Sequence, residues 1–149
     1  MAGIKGRNTQ PELTIRRCLH AAGLRYRLHV ARLPGRPDVV LPRHHVCIFV
    51  NGCFWHHHIG CDYAPLPTTR PHFWAEKFRC NAVRDAAARC NLMALGWRVI
   101  DIWECGLRDV IEPDLAWLPT EVRCGSTPYL EWPIRPVKRD GKRFTRQPR

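Results

Sequence analysis

The sequence predicts a single mixed α/β domain, and three observations carry that expectation. A capped amphipathic helical segment lies near the N-terminus, short β-rich runs follow it, and a second, longer helical segment leads into the most apolar strand of the chain. At 149 residues the chain has room for one core that needs no disulfides.

Thr9-Gln10-Pro11-Glu12 reads as a helix start, with Thr as N-cap, Pro in the first turn and Glu placed to close a capping box. The helix runs to about Ala22 and stops at Gly23. Leu13, Ile15, Cys18, Leu19 and Ala22 give its apolar stripe, which puts Arg16 and Arg17 toward solvent. Tyr26 to Val30 alternates as a strand. After the turn Leu33-Pro34-Gly35-Arg36-Pro37, the runs Asp38 to Leu41 and Val46 to Val50 read as core strands joined by a hairpin tip at Arg43-His44-His45.

A loop dense in metal-ligating residues extends to about Arg70. Pro71 opens a long helix through Phe73, Trp74, Phe78, Ala82, Ala86, Cys90 and Met93 that ends before Gly96. Trp97 to Trp103 is the next strand, with Trp97 and Trp103 in the core. Past Gly106 one short helix is expected around Val110 to Trp117. Composition then divides the chain into a domain over residues 1–118 and a proline-containing basic C-terminal tail over 119–149. Pro133 to Arg149 hold seven Lys or Arg against one Asp, the pattern of a flexible tail, serving either solubility or DNA contact.

The formal charge of +11 and the pI near 9.8 point to an anionic partner, of which nucleic acid is the commonest for a basic domain. No N-terminal run resembles a signal peptide and none approaches the roughly 18 to 20 apolar residues of a membrane span, so no membrane role and a cytosolic compartment are expected. Eight cysteines in a reducing compartment read as zinc ligands plus buried thiols. Cys18, Cys47, Cys80 and Cys90 read as structural, and Cys124 has no assigned role.

Gly52 to Cys61 reads Gly-Cys-Phe-Trp-His-His-His-Ile-Gly-Cys, and the spacing of Cys53, His58 and Cys61 lets one loop wrap three corners of a zinc tetrahedron. Cys105, at the end of an apolar run, is the expected fourth ligand; the alternative for the cysteines is buried free thiols. Asp38, just past the tight turn, suits magnesium, with a backbone carbonyl around Val50 beside it, though it also fits a turn cap. His56 is left free by the zinc assignment to act as general base toward water, or it is a satisfied polar residue or an alternative zinc ligand. Glu12 either orients a water at the metal or only caps its helix.

These residues resemble a known family. Lys5-Gly6-Arg7-Asn8-Thr9 through Pro11-Glu12, Arg25-Tyr26-Arg27, Leu33-Pro34-Gly35-Arg36-Pro37-Asp38, Gly52-Cys53-Phe54-Trp55-His56, Phe73-Trp74-Ala75-Glu76-Lys77 and Gly96-Trp97-Arg98-Val99 to Trp103-Glu104-Cys105 are similar, in order and spacing, to the very-short-patch-repair (Vsr) DNA mismatch endonucleases. The resemblance spans roughly residues 4 to 108. It implies a restriction-endonuclease-like (PD-(D/E)XK-type) α/β fold, a mixed central sheet flanked by helices with a structural zinc. It also implies magnesium-dependent nicking 5′ of the thymine in T:G mismatches that arise from 5-methylcytosine deamination. The partners it implies are mismatched double-stranded DNA, a repair polymerase and mismatch-repair proteins.

Carried onto this sequence, the resemblance makes Asp38 the main magnesium ligand with the Val50 carbonyl, His56 the activator of water and Glu12 its helper. Cys53, His58, Cys61 and Cys105 match the zinc positions. Phe54, Trp55 and Trp74 correspond to an aromatic wedge that enters the DNA stack, and Lys77, one helical turn from Trp74, contacts phosphate. The bland reading of Trp74 is core packing. Asn51 stands where many members have a histidine; its amide can donate to phosphate but exchanges no proton near neutral pH, and His57 is the candidate substitute. The zinc loop is one residue longer than in some members. The chain begins almost at the Lys-Gly-Arg-Asn motif, without the basic leader expected before it. Activity as a monomer is expected, since one nick needs one site. The rival readings are a zinc-supported binder of distorted DNA that does not cut and a sequence-specific restriction nuclease on the same fold.

Overall fold

The computed structural model describes residues 6–108 and 113–137. The elements are α1 (Gln10–Ala21), β1 (Arg27–Leu28), β2 (Val39–Leu41), β3 (Val46–Asn51), α2 (Pro71–Ala94), β4 (Arg98–Trp103), α3 (Trp117–Cys124) and β5 (Tyr129–Trp132). Single 3₁₀ turns follow β2 and β4. Among the described residues there is one five-stranded mixed sheet in the order β1-β2-β3-β4-β5. β1, β2 and β3 run antiparallel, whereas β3, β4 and β5 are parallel.

Alternation along the strands builds two cores. Val46 and Ile48 of β3 and Ile100 and Ile102 of β4 pack with Ile15 and Leu19 of α1 and Leu118 and Val122 of α3. Val40, Cys47 and Val99, from alternating positions, pack with Leu92 of α2. The sheet is thus covered on one face by α1 and α3 and on the other by α2. The antiparallel β2–β3 hairpin turns on residues that tolerate left-handed backbone, His45 having φ +54°.

The expected boundaries of α1, α2 and the central strands hold to within two residues, and four other expectations are corrected. Arg16 is 8% exposed and faces inward with Glu12, Ile15 and Leu19, because Asn8 and Glu12 provide acceptors for its guanidinium. The inner face of α2 carries Phe78, Ala88 and Leu92, while Ala82, Ala86 and Cys90 are exposed. Cys80 is exposed as well, so neither it nor Cys90 is a buried structural thiol. Beyond β4, the expected helix over Val110 to Trp117 falls partly on residues 109–112, outside the described set, and the observed helix starts at Trp117.

The division at residue 118 does not coincide with any edge of the sheet. β5 pairs in parallel with β4 along Val99↔Tyr129 to Ile102↔Trp132, so regular structure continues through Trp132, and Val137 still packs against the cysteine cluster. The expected tail lies outside the described residues from 138 onward. Among the described residues no helix is long and apolar enough to cross a membrane.

Candidate active site and metal centre

Sheet register decides where the chemistry gathers. β3 and β4 are parallel, with Asn51 opposite Trp103, so the loop after β3 and the turn after β4 leave the sheet side by side. Open sheets with parallel strands place their functional groups at these carboxyl ends. Gly52 and Cys53 begin one exit, and Glu104 and Cys105 the other.

Cys53, His58, Cys61 and Cys105 come together there, all buried, with one potential ligand atom from each within 4.8 Å of the others. His58 Nδ1 lies 3.7 Å from Cys53 Sγ and 3.5 Å from Cys105 Sγ. Bonds of about 2.3 Å to sulfur and about 2.0 Å to nitrogen give tetrahedral edges of about this length, so the four residues fit a zinc-sized ion. The Cys105 N–H donates to Cys53 Sγ at 3.3 Å, the His58 ring stacks on Trp103 at 4.1 Å, and Glu104 Oε2 accepts the Cys53 N–H at 3.3 Å. Such contacts orient ligands around a metal. A hydrogen bond with Cys53 holds the Cys105 thiol below its ordinary value, while that bond and burial push Cys53 up.

Beside this cluster is a cavity of about 810 Å³, walled by the carboxyl ends of β3 and β4, the start of α1 and the middle of α2. Asp38, immediately before β2, has its Oδ2 held by the Val50 N–H at 2.8 Å. Burial, opposed by that bond, raises the Asp38 pKa to about 7, and the nearby Glu12 adds to the rise. Glu12, Asn51 and His56 also line the cavity, so the expected catalytic set of Asp38, His56, Glu12 and Asn51 converges, with Val50 at its floor. His57 lies elsewhere: its ring stacks on Phe78 at 4.8 Å with Nδ1 unpartnered, and it does not line the cavity.

Two contributors were not evident in sequence. His56 Nδ1 lies 2.7 Å from Asp85 Oδ2. A carboxylate there accepts a hydrogen bond from Nδ1–H, which fixes the proton on Nδ1 and leaves Nε2 with the lone pair a base requires. One turn before Asp85, Asn81 Nδ2 donates to the Trp55 carbonyl at 2.8 Å, so α2 grips the loop twice. The available signal was the i, i+4, i+8 spacing of Asn81, Asp85 and Arg89. The second contributor is His29, whose ring, with the carboxylates of Glu12 and Asp38, forms another group with ligand atoms within 4.8 Å. Its place within an alternating run read as a strand disguised it. At the back of the cavity Asp101, raised in pKa mainly by burial, accepts from Tyr129 Oη at 2.9 Å and Arg89 Nη1 at 3.1 Å, linking β5 to α2 across β4.

The aromatic residues pack together around Trp55, which lines the cavity. Phe54 and Trp55 have ring centroids 5.0 Å apart, Phe54 and Trp74 5.4 Å, and all three are half-buried. Lys77 Nζ sits 5.9 Å over both Trp74 and Phe73. A half-buried aromatic ridge rimmed by cations is a surface suited to bases and phosphates.

Comparison with known proteins agrees with this geometry. The family model described as DNA mismatch endonuclease Vsr matches residues 1–62. A type II nicking enzyme, V.XorIIP, of Xanthomonas oryzae pv. oryzae is 44% identical over 110 residues, 74% of this chain and 80% of the relative. The DNA mismatch endonuclease Vsr of Escherichia coli K12 is 44% identical over 108 residues, 72% of this chain and 69% of the relative. The type II nicking enzyme V.NmeAIP of Neisseria meningitidis is 37% identical over 109 residues, covering 73% and 77%. With these relatives matched over more than two thirds of their length, and a cluster that could hold a metal beside an acidic cleft, the chain belongs to the Vsr family of DNA endonucleases.

Proposed function

We propose that this protein nicks one strand of duplex DNA 5′ of the thymine in a T:G mismatch, using magnesium, and so starts very short patch repair. The observation that supports this best is the His56–Asp85 pair opening onto the same cavity as Asp38, beside the packed Phe54, Trp55 and Trp74.

Asp38 would hold the magnesium, with the Val50 carbonyl beside it; the ion, when bound, neutralises charge developing on the phosphate. His56 accepts a proton from the attacking water at Nε2 while its Nδ1–H keeps its own proton and donates to the Asp85 carboxylate, whose charge stabilises the imidazolium. Water oxygen then bonds to phosphorus as the P–O bond to the leaving strand breaks. Glu12 orders solvent at the cleft floor, and the Asn51 amide donates to a phosphate oxygen. The aromatic ridge enters the stack beside the mismatch, where a wobble pair unstacks more readily than a matched one, and Lys77 holds backbone phosphate. Zinc in the Cys53, His58, Cys61 and Cys105 site would fix the loop carrying His56, Phe54 and Trp55. In this reading the fold is restriction-endonuclease-like and the protein acts as a monomer on the nucleoid, in the cytoplasm, ahead of a repair polymerase and alongside mismatch-repair proteins.

A second reading, sequence-specific nicking of matched duplex, is favoured by the relatives named as type II nicking enzymes. A strand-resolved assay on end-labelled duplexes differing only in T:G, T:A or C:G separates them, run with and without magnesium and with Asp38→Asn as control. The proposal expects a single nick on the thymine strand of the mismatch, lost in the variant. Cutting of matched duplex at a fixed site favours the second reading, and tight binding of the mismatch without cutting by either protein leaves a DNA-binding module.

A further inference from the structure

The Glu12, His29 and Asp38 group admits two roles for the imidazole, direct ligation of a cation or orientation of a carboxylate that does the ligating. Arg16 decides between them. Its Nη1 donates to Asn8 Oδ1 at 2.8 Å and its Nη2 to Glu12 Oε2 at 2.9 Å, and the same Nη2 lies 3.1 Å from His29 Nε2. A guanidinium only donates, so His29 Nε2 must be the acceptor, and the neutral ring carries its proton on Nδ1. A permanent positive charge against Nε2 also makes that nitrogen a poor place for a cation.

Nδ1 lies 3.8 Å from Asp38 Oδ1, too long for a hydrogen bond but close enough for a proton on Nδ1 to favour the carboxylate electrostatically. The same residue fixes Asp38 through the main chain, its N–H donating to the Asp38 carbonyl at 3.2 Å. Asp38 is therefore flanked on both sides, Oδ2 by the Val50 N–H at 2.8 Å and Oδ1 by His29.

We infer that His29 is a positioning residue: held as the Nδ1–H tautomer by Arg16, it orients the Asp38 carboxylate toward the cation site and does not itself ligate the ion. This rests on the proposed role of Asp38. It extends the cation site back to Asn8 and Arg16 at the first helix, two residues with no chemistry of their own.

Backbone conformation makes a sharp test available. His29 has φ +47°, a left-handed position that Asn and Asp tolerate better than other side chains. Asn and Asp are nearly isosteric, and Asn can place a donor where Nδ1–H stands, whereas Asp places a second acceptor. Binding of Mn²⁺ alone, measured by calorimetry on full-length protein, is expected to stay within about threefold of wild type in His29→Asn and to weaken by about 10-fold to 100-fold in His29→Asp and His29→Ala. Nicking should follow the same order, and thermal melting confirms that each variant is folded.

If His29 were a ligand, the order would invert, with the Asp carboxylate retaining Mn²⁺ and the amide losing it. Equal binding by all three variants would reduce His29 to packing. Tautomer-sensitive ¹⁵N spectra of the metal-free protein provide an independent check: a protonated Nε2 on His29 overturns the inference outright. Because Mn²⁺ binding and the tautomer are read without DNA, failure of the proposed T:G substrate would not be mistaken for failure here.

Discussion

Asp38 is a carboxylate that pays for readiness with a raised pKa. Burial and Glu12 bring its value to about 7 against the hydrogen bond from Val50, so between roughly pH 4 and 7 the folded, metal-free protein binds a proton that the unfolded chain has released. The stabilising effect of that proton is complete below the unfolded pKa and is lost as pH rises through about 7. Three units correspond to about 4 kcal/mol as an upper bound. In chelator, Asp38→Asn is therefore expected to melt above wild type at pH 8 and level with it near pH 4; equal melting at both would show that the carboxylate is not strained by burial. The same proton competes with a cation, so Mn²⁺ affinity should rise by up to about tenfold per unit toward pH 7 and flatten above it. Asp85 acts one step back, on His56. Replacing it with Asn removes the carboxylate charge and lets an amide donor face Nδ1, which favours the other tautomer, and single-turnover nicking should fall by about 100-fold with mismatch binding unchanged within about twofold. A loss of binding instead would place Asp85 in DNA contact.

At the level of elements, α2 governs the cleft. Its inner face runs Phe78, Asn81, Asp85, Ala88 and Leu92, so its middle turns roof a cavity instead of a core. That placement explains which features of the helix the sequence discloses. Pro71 and Gly96 mark the ends of α2, but a stripe broken by Asn81 and Asp85 loses to the false apolar row of Ala82, Ala86 and Cys90. β2, β3 and β4 are legible because they are predominantly apolar runs, as are the clustered cysteines and histidine, which share one short loop apart from Cys105. β5 is not, since a short edge strand among prolines declares itself only through its distant pairing with β4. His29 and Asp85 reach the site from remote elements, and no local pattern announces that. Ala88 faces Gly35 closely: a Cβ at residue 35, where φ is +73°, would meet the Ala88 Cβ at 2.6 Å and the Phe49 ring at 3.1 Å. Gly35→Ala should cost about 1–3 kcal/mol in denaturant unfolding, and adding Ala88→Gly should recover part of it, because the backbone strain stays. No recovery would mean that backbone strain alone sets the cost.

At the scale of the described residues, the cysteine–histidine cluster and the main core are separate bodies joined at the ends of β3 and β4. The core of Ile15, Leu19, Ile48, Ile100 and Leu118 shares no residue with the cluster of Cys53, Cys61 and Cys105, and the segment from Gly52 to Arg70 contains no helix or strand. Order in that segment rests on the Cys53, His58, Cys61 and Cys105 cluster, on Asn81 and Asp85 of α2 and on the Glu104 contact to Cys53. Removing a metal from the cluster leaves four buried polar groups to satisfy one another, a poorer arrangement than ligation. The sheet should survive this, while His56, Phe54 and Trp55 lose their placement. Chelation, or Cys105→Ser, is therefore expected to abolish nicking, change tryptophan fluorescence and open the Gly52–Arg70 segment to protease, with most far-ultraviolet dichroism retained. Binding to matched DNA, driven by a formal charge of +11 spread over the chain, should persist at low salt and fall steeply as salt rises. Nicking that continues after the metal is stoichiometrically removed would show that α2 alone holds the loop, whereas collapse of the dichroism would make the cluster part of the global fold.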